Sequence, residues 1–85
     1  MAILVDGAVW PFRGRLWAHL VSDECYDELH EFATRLDVPR RAFQGDHYDV
    51  PAEVRDLAIE LGALEVTAAE LVRRLRAAGL REAAG

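Results

Sequence analysis

The sequence predicts an α/β domain with a small three-stranded parallel sheet in the order 2-1-3 and three helices, alternating as β-α-β-α-β-α. Three observations predict it. Residues 2–5 form a continuous apolar run, the pattern of a strand covered on both faces. Three later segments repeat apolar residues at spacings of three and four, as helices that pack one stripe on a sheet do. The stretches between those segments are punctuated by Pro39, Gly45 and Gly62 and leave room for a short strand each. Right-handed crossovers, with the most apolar strand in the middle, then give the order 2-1-3.

Taken in order, the first strand ends at Asp6 and Gly7, and a loop over 7–18 follows, well above the ordinary connection of about 2–6 residues. The first helix is expected over 23–36, with Ser22 or Asp23 as N-cap, Glu24 and Asp27 in the first turn, and an apolar stripe of Cys25, Tyr26, Leu29, Phe32, Ala33 and Leu36. Pro39 stops it and turns the chain into a weak second strand over 41–44. Pro51 suits the first position of a second helix reaching Leu61, with Val54, Leu57, Ala58 and Leu61 inward and Gly62 as its stop. Residues 63–66 read as the third strand. Thr67 and Glu70 have capping-box spacing and open the last helix, which ends at Gly79 with Leu80 folded back on Leu75. Residues 81–85 read as a frayed tail of what is a single domain over 1–85.

With 85 residues, 52% of them hydrophobic and 29% charged, the chain has material for one core and no second domain. All ten basic residues are Arg against fifteen acidic ones, and the net charge of -5 argues against a general nucleic-acid coat. The run over 2–5 is too short for a signal-peptide core or a membrane span, so a cytoplasmic protein with no membrane partner is expected. A single cysteine, Cys25, excludes an intramolecular disulfide; it falls in the buried stripe of the first helix and reads as structural.

In the expected topology the connections leave the first and second strands in opposite directions, opening a crevice beyond their carboxyl ends where open sheets bind ligands. Asp6, Arg13, Arg15, Trp17 and His19 reach it from one loop, and Asp46, His47, Tyr48 and Asp49 from the other. Three carboxylates and two imidazoles around one crevice can ligate a divalent cation, because carboxylate oxygens and neutral imidazole nitrogens suit Mn, Fe or Zn; Asp6, Asp46 and Asp49 are the first candidate metal ligands, and His19 and His47 are the candidate general acid or base if the site is hydrolytic. Arg13 and Arg15 can hold a phosphate or carboxylate, with Trp17 and Tyr48 completing the ligand site. Turn, cap and core roles compete with each of these assignments. Asp46 and Asp49 sit where turns and caps use aspartate, and Trp10 and Trp17 can serve to pin the long loop to the core. His30, three residues after Asp27, reads as half of a surface ion pair, and Arg73, Arg74 and Arg76 as a solvated face paired with Glu70. No glycine-rich phosphate loop follows the first strand, and no cysteine pair allows a structural zinc site.

The runs Trp17-Ala18-His19-Leu20-Val21-Ser22-Asp23 and Asp46-His47-Tyr48-Asp49-Val50, with Trp10-Pro11, Glu28-Leu29-His30, Phe32-Ala33 and Pro39-Arg40-Arg41, resemble the bacterial family called domain of unknown function 4031. The resemblance spans almost the whole chain and implies a bacterial cytoplasmic protein; it carries no activity, cofactor or partner with it. Asp37 stands where the family is expected to have glycine.

The functional expectation is a pocket at the carboxyl edge of the sheet for a small anionic ligand or a divalent metal, with metal-dependent phosphoester hydrolysis as its reaction. The alternative is a non-enzymatic interaction module, a homodimer built on open sheet edges and the tryptophan-bearing loop.

Overall fold

The computed structural model describes residues 2–81. Five strands, β1 (Ile3–Val5), β2 (Trp10–Phe12), β3 (Arg15–Ser22), β4 (Tyr48–Pro51) and β5 (Leu64–Glu65), form one mixed sheet with three helices, α1 (Tyr26–Arg35), α2 (Ala52–Glu60) and α3 (Ala68–Ala77). The expected three-stranded parallel 2-1-3 sheet is therefore wrong. Only β1 and β5 pair in parallel; β3 is antiparallel to β1, β2 and β4.

The error has two sources, and the first is the segment over 7–18, which holds a hairpin rather than a loop. Arg13 (φ 51) and Gly14 (φ 74) both take left-handed conformations between the paired residues Phe12 and Arg15. That is the two-residue turn whose twist matches a hairpin. Pro11 inside β2 and arginine at the first turn position hid it, since neither is a hairpin signal.

β3 organises the sheet. Leu20 pairs with both Val5 and Tyr48, and Trp17 with both Trp10 and Pro51, so β4 runs along one edge of β3 while β1 and β2 share the other. Between β1 and β2 the chain bulges over 6–9, four residues facing the two of Ala18 and His19. The Asp6 side chain patches this break: its Oδ1 accepts the His19 backbone N–H at 2.7 Å, and the Asp6 N–H donates to the His19 carbonyl at 3.3 Å.

The expected second strand over 41–44 is a single 3₁₀ turn, Arg40–Ala42, and the real strand begins at Tyr48. Phe43 bridges Tyr48, and the Gln44 N–H donates to the His47 carbonyl at 2.7 Å, so the DHYD segment enters the sheet from a tight reversal. The third strand is trimmed to two residues.

One sheet face carries the larger core. Ile3, Val5, Ala18, Leu20, Tyr48 and Val50 pack against Leu29, Phe32 and Ala33 of α1 and Ala58 of α2. The opposite face carries Leu4 and Val21, which meet Leu71 and Leu75 of α3. α3 covers that end of the second face. By strand alternation, Asp6, His19, Trp17 and Asp49 lie on the same face, with Asp6 buried beside α3 and Arg81.

The first two helices start later than expected. Cys25, not Ser22, is the N-cap of α1; the Ser22 hydroxyl accepts the Glu24 and Cys25 N–H groups and donates to Glu28. Thr67 caps α3 as expected, accepting the Glu70 N–H at 3.1 Å, but the Glu70 carboxylate turns away to Arg73 and Arg74 instead of reaching back. The Leu80 N–H donates to the Leu75 carbonyl at 2.9 Å and Gly79 has φ 76, which closes α3 with the expected Schellman turn. Residues 82–85 of the expected tail lie outside the described residues.

Candidate metal centre

The two polar segments do meet, but on a sheet face rather than in a crevice at the ends of parallel strands. His19 on β3 and Asp49 on β4 are direct cross-strand partners, and His47, two residues before Asp49, comes up beside them. The imidazole rings of His19 and His47 lie 5.3 Å apart, edge to face. His19 Nε2 is 3.9 Å and His47 Nε2 3.3 Å from the same oxygen, Asp49 Oδ1. These donor atoms all lie within 4.8 Å of one another.

Each imidazole is held from behind by a carboxylate. Asp6 Oδ2 lies 2.8 Å from His19 Nδ1, and Asp46 Oδ1 lies 2.7 Å from His47 Nδ1. An ionised carboxylate only accepts, so both Nδ1 atoms carry the proton and both Nε2 atoms face Asp49. Asp6 is 3% exposed and spends its other oxygen on the β-bulge. Asp46 is gripped by Arg81, whose Nε and Nη2 reach its two oxygens at 2.6 and 2.9 Å. That guanidinium, with the His47 hydrogen bond, holds the Asp46 carboxyl down to about 2 against the opposing effect of burial. The hydrogen bond that His19 donates to Asp6 raises the His19 pKa; burial opposes it, and the charges of Asp6 and Asp49 reinforce it.

Asp49 Oδ1 is different. It is buried, faces two imidazole nitrogens, and has no hydrogen-bond partner. A bare carboxylate oxygen in such a place is costly unless a proton or a cation sits between it and its neighbours.

Two hollows flank this cluster. A cavity of about 100 Å³ lies between it and α3, lined by Asp6, His19, His47, Leu71, Val72 and Arg81. On the open side a cleft of about 340 Å³ runs from Asp49 to Trp10, Phe12 and Trp17. A larger hollow of about 510 Å³ lies on α3 beside Val72, Arg73 and Arg76, but no group with metal or acid–base character converges there, and Arg73 is already paired with Glu70.

The other expected ligand residues are placed apart from the cluster. Tyr48 points through the sheet to the opposite face, fully buried, with its hydroxyl 2.8 Å from His30 Nδ1. His30 is thus a partner of Tyr48 and Phe43 and not half of a surface ion pair with Asp27. Arg15 is engaged by Glu53 and lies over the Trp17 ring, and Arg13 lies over Phe12 at the hairpin tip. Trp17 lines the cleft and donates its indole N–H to the Phe12 carbonyl at 2.8 Å, whereas Trp10 is 43% exposed and stacks on Phe12 and His19. Arg81 was missed because the chain end reads as a tail. The only signal for it was the Gly79-Leu80 helix stop, which turns the next residue back over the sheet.

Among the described residues no helix is long and apolar enough to cross a membrane. No curated protein and no solved structure matches the chain. The family model described as protein of unknown function (DUF4031) matches residues 3–78, a span that holds both histidines and all three aspartates of the cluster, and the chain belongs to that family.

Proposed function

We propose that the protein binds one divalent transition-metal ion between His19 Nε2, His47 Nε2 and Asp49 Oδ1, and presents it to a small anionic ligand. The single observation that carries this reading is the buried Asp49 oxygen that accepts no hydrogen bond and faces two imidazoles whose far nitrogens are both claimed by carboxylates. Donors around a tetrahedral zinc at roughly 2.0–2.2 Å sit about 3.3–3.6 Å apart. The separation of 3.3 Å from His47 fits that range, and the 3.9 Å from His19 needs only a small contraction. Carboxylate-backed histidines are the ordinary outer shell of such a site, fixing ring orientation and raising ligand basicity.

In this reading the histidines take the ligand role, one of the two open to them from sequence, and not the acid–base role. Asp6 and Asp46 differ from expectation: they orient the histidines instead of touching the metal. Two histidines and one carboxylate leave a coordination position open, and a divalent cation there supplies Lewis acidity and lowers the pKa of water. Arg81, on the rim of the small cavity, adds positive charge beside the cluster. Hydrolysis of a phosphoester is the reaction this set supports.

Calorimetric titration with Zn²⁺ and Mn²⁺ tests the proposal. One equivalent is expected to bind the wild type and none the His47→Ala or Asp49→Asn proteins; equal uptake by all three overturns it. A metal-supplemented phosphoester screen of wild type against His47→Ala tests the hydrolytic step, and equal background rates reject it. The exposed Val9, Trp10, Phe12 and Leu16 of the hairpin support a second reading, self-association. Light scattering distinguishes it, since a dimer with Trp10 fluorescence shifted to a buried environment favours assembly.

A further inference from the structure

The cleft beside the metal ligands has a chemistry of its own. Its walls are Trp10, Phe12 and Trp17, its far side Ala42 and Gln44, and its inner end Asp49. Trp10 and Phe12 lie with ring planes 8° apart and centroids 5.9 Å apart, and Trp10 and His19 at 17° and 6.0 Å. A run of near-parallel rings therefore leads from the hairpin tip to an imidazole of the cluster. These rings belong to neither core cluster, and Trp10 is 43% and Phe12 49% exposed. Exposing this much aromatic surface beside a polar cluster is the arrangement of a ligand pocket, and about 340 Å³ falls within the ordinary range of roughly 300–1,000 Å³ for small-molecule sites. Gln44 contributes one donor pair and one acceptor on the wall.

From this we infer that the site takes a ligand made of a planar ring joined to an oxyanion, with the ring against Trp10, Phe12 and Trp17 and the oxyanion at the metal position. The inference rests on the metal reading and adds to it the class of molecule bound. Two features set this occupant above a second protein chain. Pro11 lacks the N–H that strand addition to β2 would use, and Asp49 would place a carboxylate inside an apolar contact. An oxyanion meeting a cation satisfies that same end of the cleft. A nucleotide and a simple aromatic phosphate share this chemistry, and the experiment separates them.

The full-length protein, loaded with one equivalent of Zn²⁺, is titrated with adenosine 5′-monophosphate, phenyl phosphate and ribose 5-phosphate while tryptophan fluorescence and heat are recorded. Ring stacking of this kind is worth about tenfold or more in affinity. Ring-bearing ligands are therefore expected to bind at least about tenfold more tightly than ribose 5-phosphate and to quench tryptophan emission. A preference for the nucleotide over phenyl phosphate identifies the larger ring system, and equal binding identifies the simple aromatic. The exposed substitutions Trp10→Ala and Phe12→Ala are expected to cost that preference, and Zn²⁺ uptake is expected to persist in Phe12→Ala, whose ring stacks on Trp10. Equal binding of ringed and ringless phosphates, or retention of the preference in both variants, overturns the inference and leaves the metal reading intact. Failure of the wild type to take up Zn²⁺ overturns both. A dimer that buries Trp10 in the loaded protein overturns the inference in favour of self-association.

Discussion

The Asp6 side chain shows how one residue ties fold to site. One oxygen replaces a missing ladder hydrogen bond at the β-bulge, and the other fixes the His19 ring with its Nε2 toward Asp49. Asp6→Asn keeps the shape but makes the group behind His19 neutral and able to donate. Zn²⁺ affinity is expected to fall about 10- to 100-fold with one equivalent still bound, read by calorimetry. On the other face, burial and the nearby Arg40 charge depress the His30 pKa, opposed by Asp27. The unfolded chain therefore takes up a proton near the ordinary value of 6.5 that folded His30 resists. Stability contributed by neutral His30 is present above 6.5 and lost as pH falls below it towards the depressed folded value. Urea midpoints of wild type and His30→Gln measured from pH 7.5 to 5 are expected to show the wild type losing ground as acid is added; parallel curves refute this. At this scale the sequence was informative about type and poor about direction. Asp6, His19, Asp46, His47 and Asp49 stand out as a set of ligating groups on any reading, but which nitrogen faces which oxygen depends on cross-strand register. Tyr48 shows the limit: one residue from both His47 and Asp49, it points the other way because side chains alternate along a strand.

Elements obey their punctuation where the signal is local. Each helix ends on a residue with positive φ, Gly62 after α2, Gly79 after α3 and Asp37 after α1, and each turn is closed by a hydrogen bond back to the helix, from Ala63 to Ala58, Leu80 to Leu75 and Val38 to Ala33. Asp37 (φ 59) is the odd member, since a side chain in that region crowds its own backbone. Asp37→Gly is expected to raise stability by about 0.5–1 kcal/mol and Asp37→Ala to lower it, measured by urea unfolding. Equal stabilities would mean that the helix stop is not strained. Helix stops and the Thr67 cap were legible because a cap needs only neighbours in sequence. Strands were not, because a strand is defined by what pairs with it. β3 carries apolar residues on both sides, Ala18 and Leu20 toward α1 and α2 and Trp17 and Val21 away from them, so its alternation of polar and apolar is blurred. β5 survives as a strand only through its parallel pairing with β1.

Across the whole molecule the proposed site and the fold are coupled through stability. The expected parallel topology and the observed mixed sheet bring the same two segments together for different reasons, which is why the cluster was found although the architecture was not. In the observed sheet His19 and Asp49 are forced together by register, and closing that register buries Asp49 Oδ1 beside two imidazoles without a hydrogen bond to either. Folding without metal therefore works against a buried carboxylate oxygen that accepts no hydrogen bond, a loss of roughly 1–3 kcal/mol for a buried group of this kind. Replacing it by an amide, Asp49→Asn, removes the charge and gives the site a donor that can meet an imidazole nitrogen. The metal-free variant is expected to be more stable than the metal-free wild type by about 1 kcal/mol, since functional sites commonly hold such strain. Adding Zn²⁺ should reverse the order: a ligand that binds only the folded state stabilises it by about 2.7 kcal/mol at a concentration 100 times its dissociation constant, and Asn offers no anionic oxygen to complete the set. Thermal unfolding of both proteins with and without Zn²⁺ measures all four states in one experiment. A wild type that is already the more stable of the pair without metal, or a variant that gains as much from Zn²⁺ as the wild type, would mean that Asp49 is an ordinary surface acid and the cluster a structural accident.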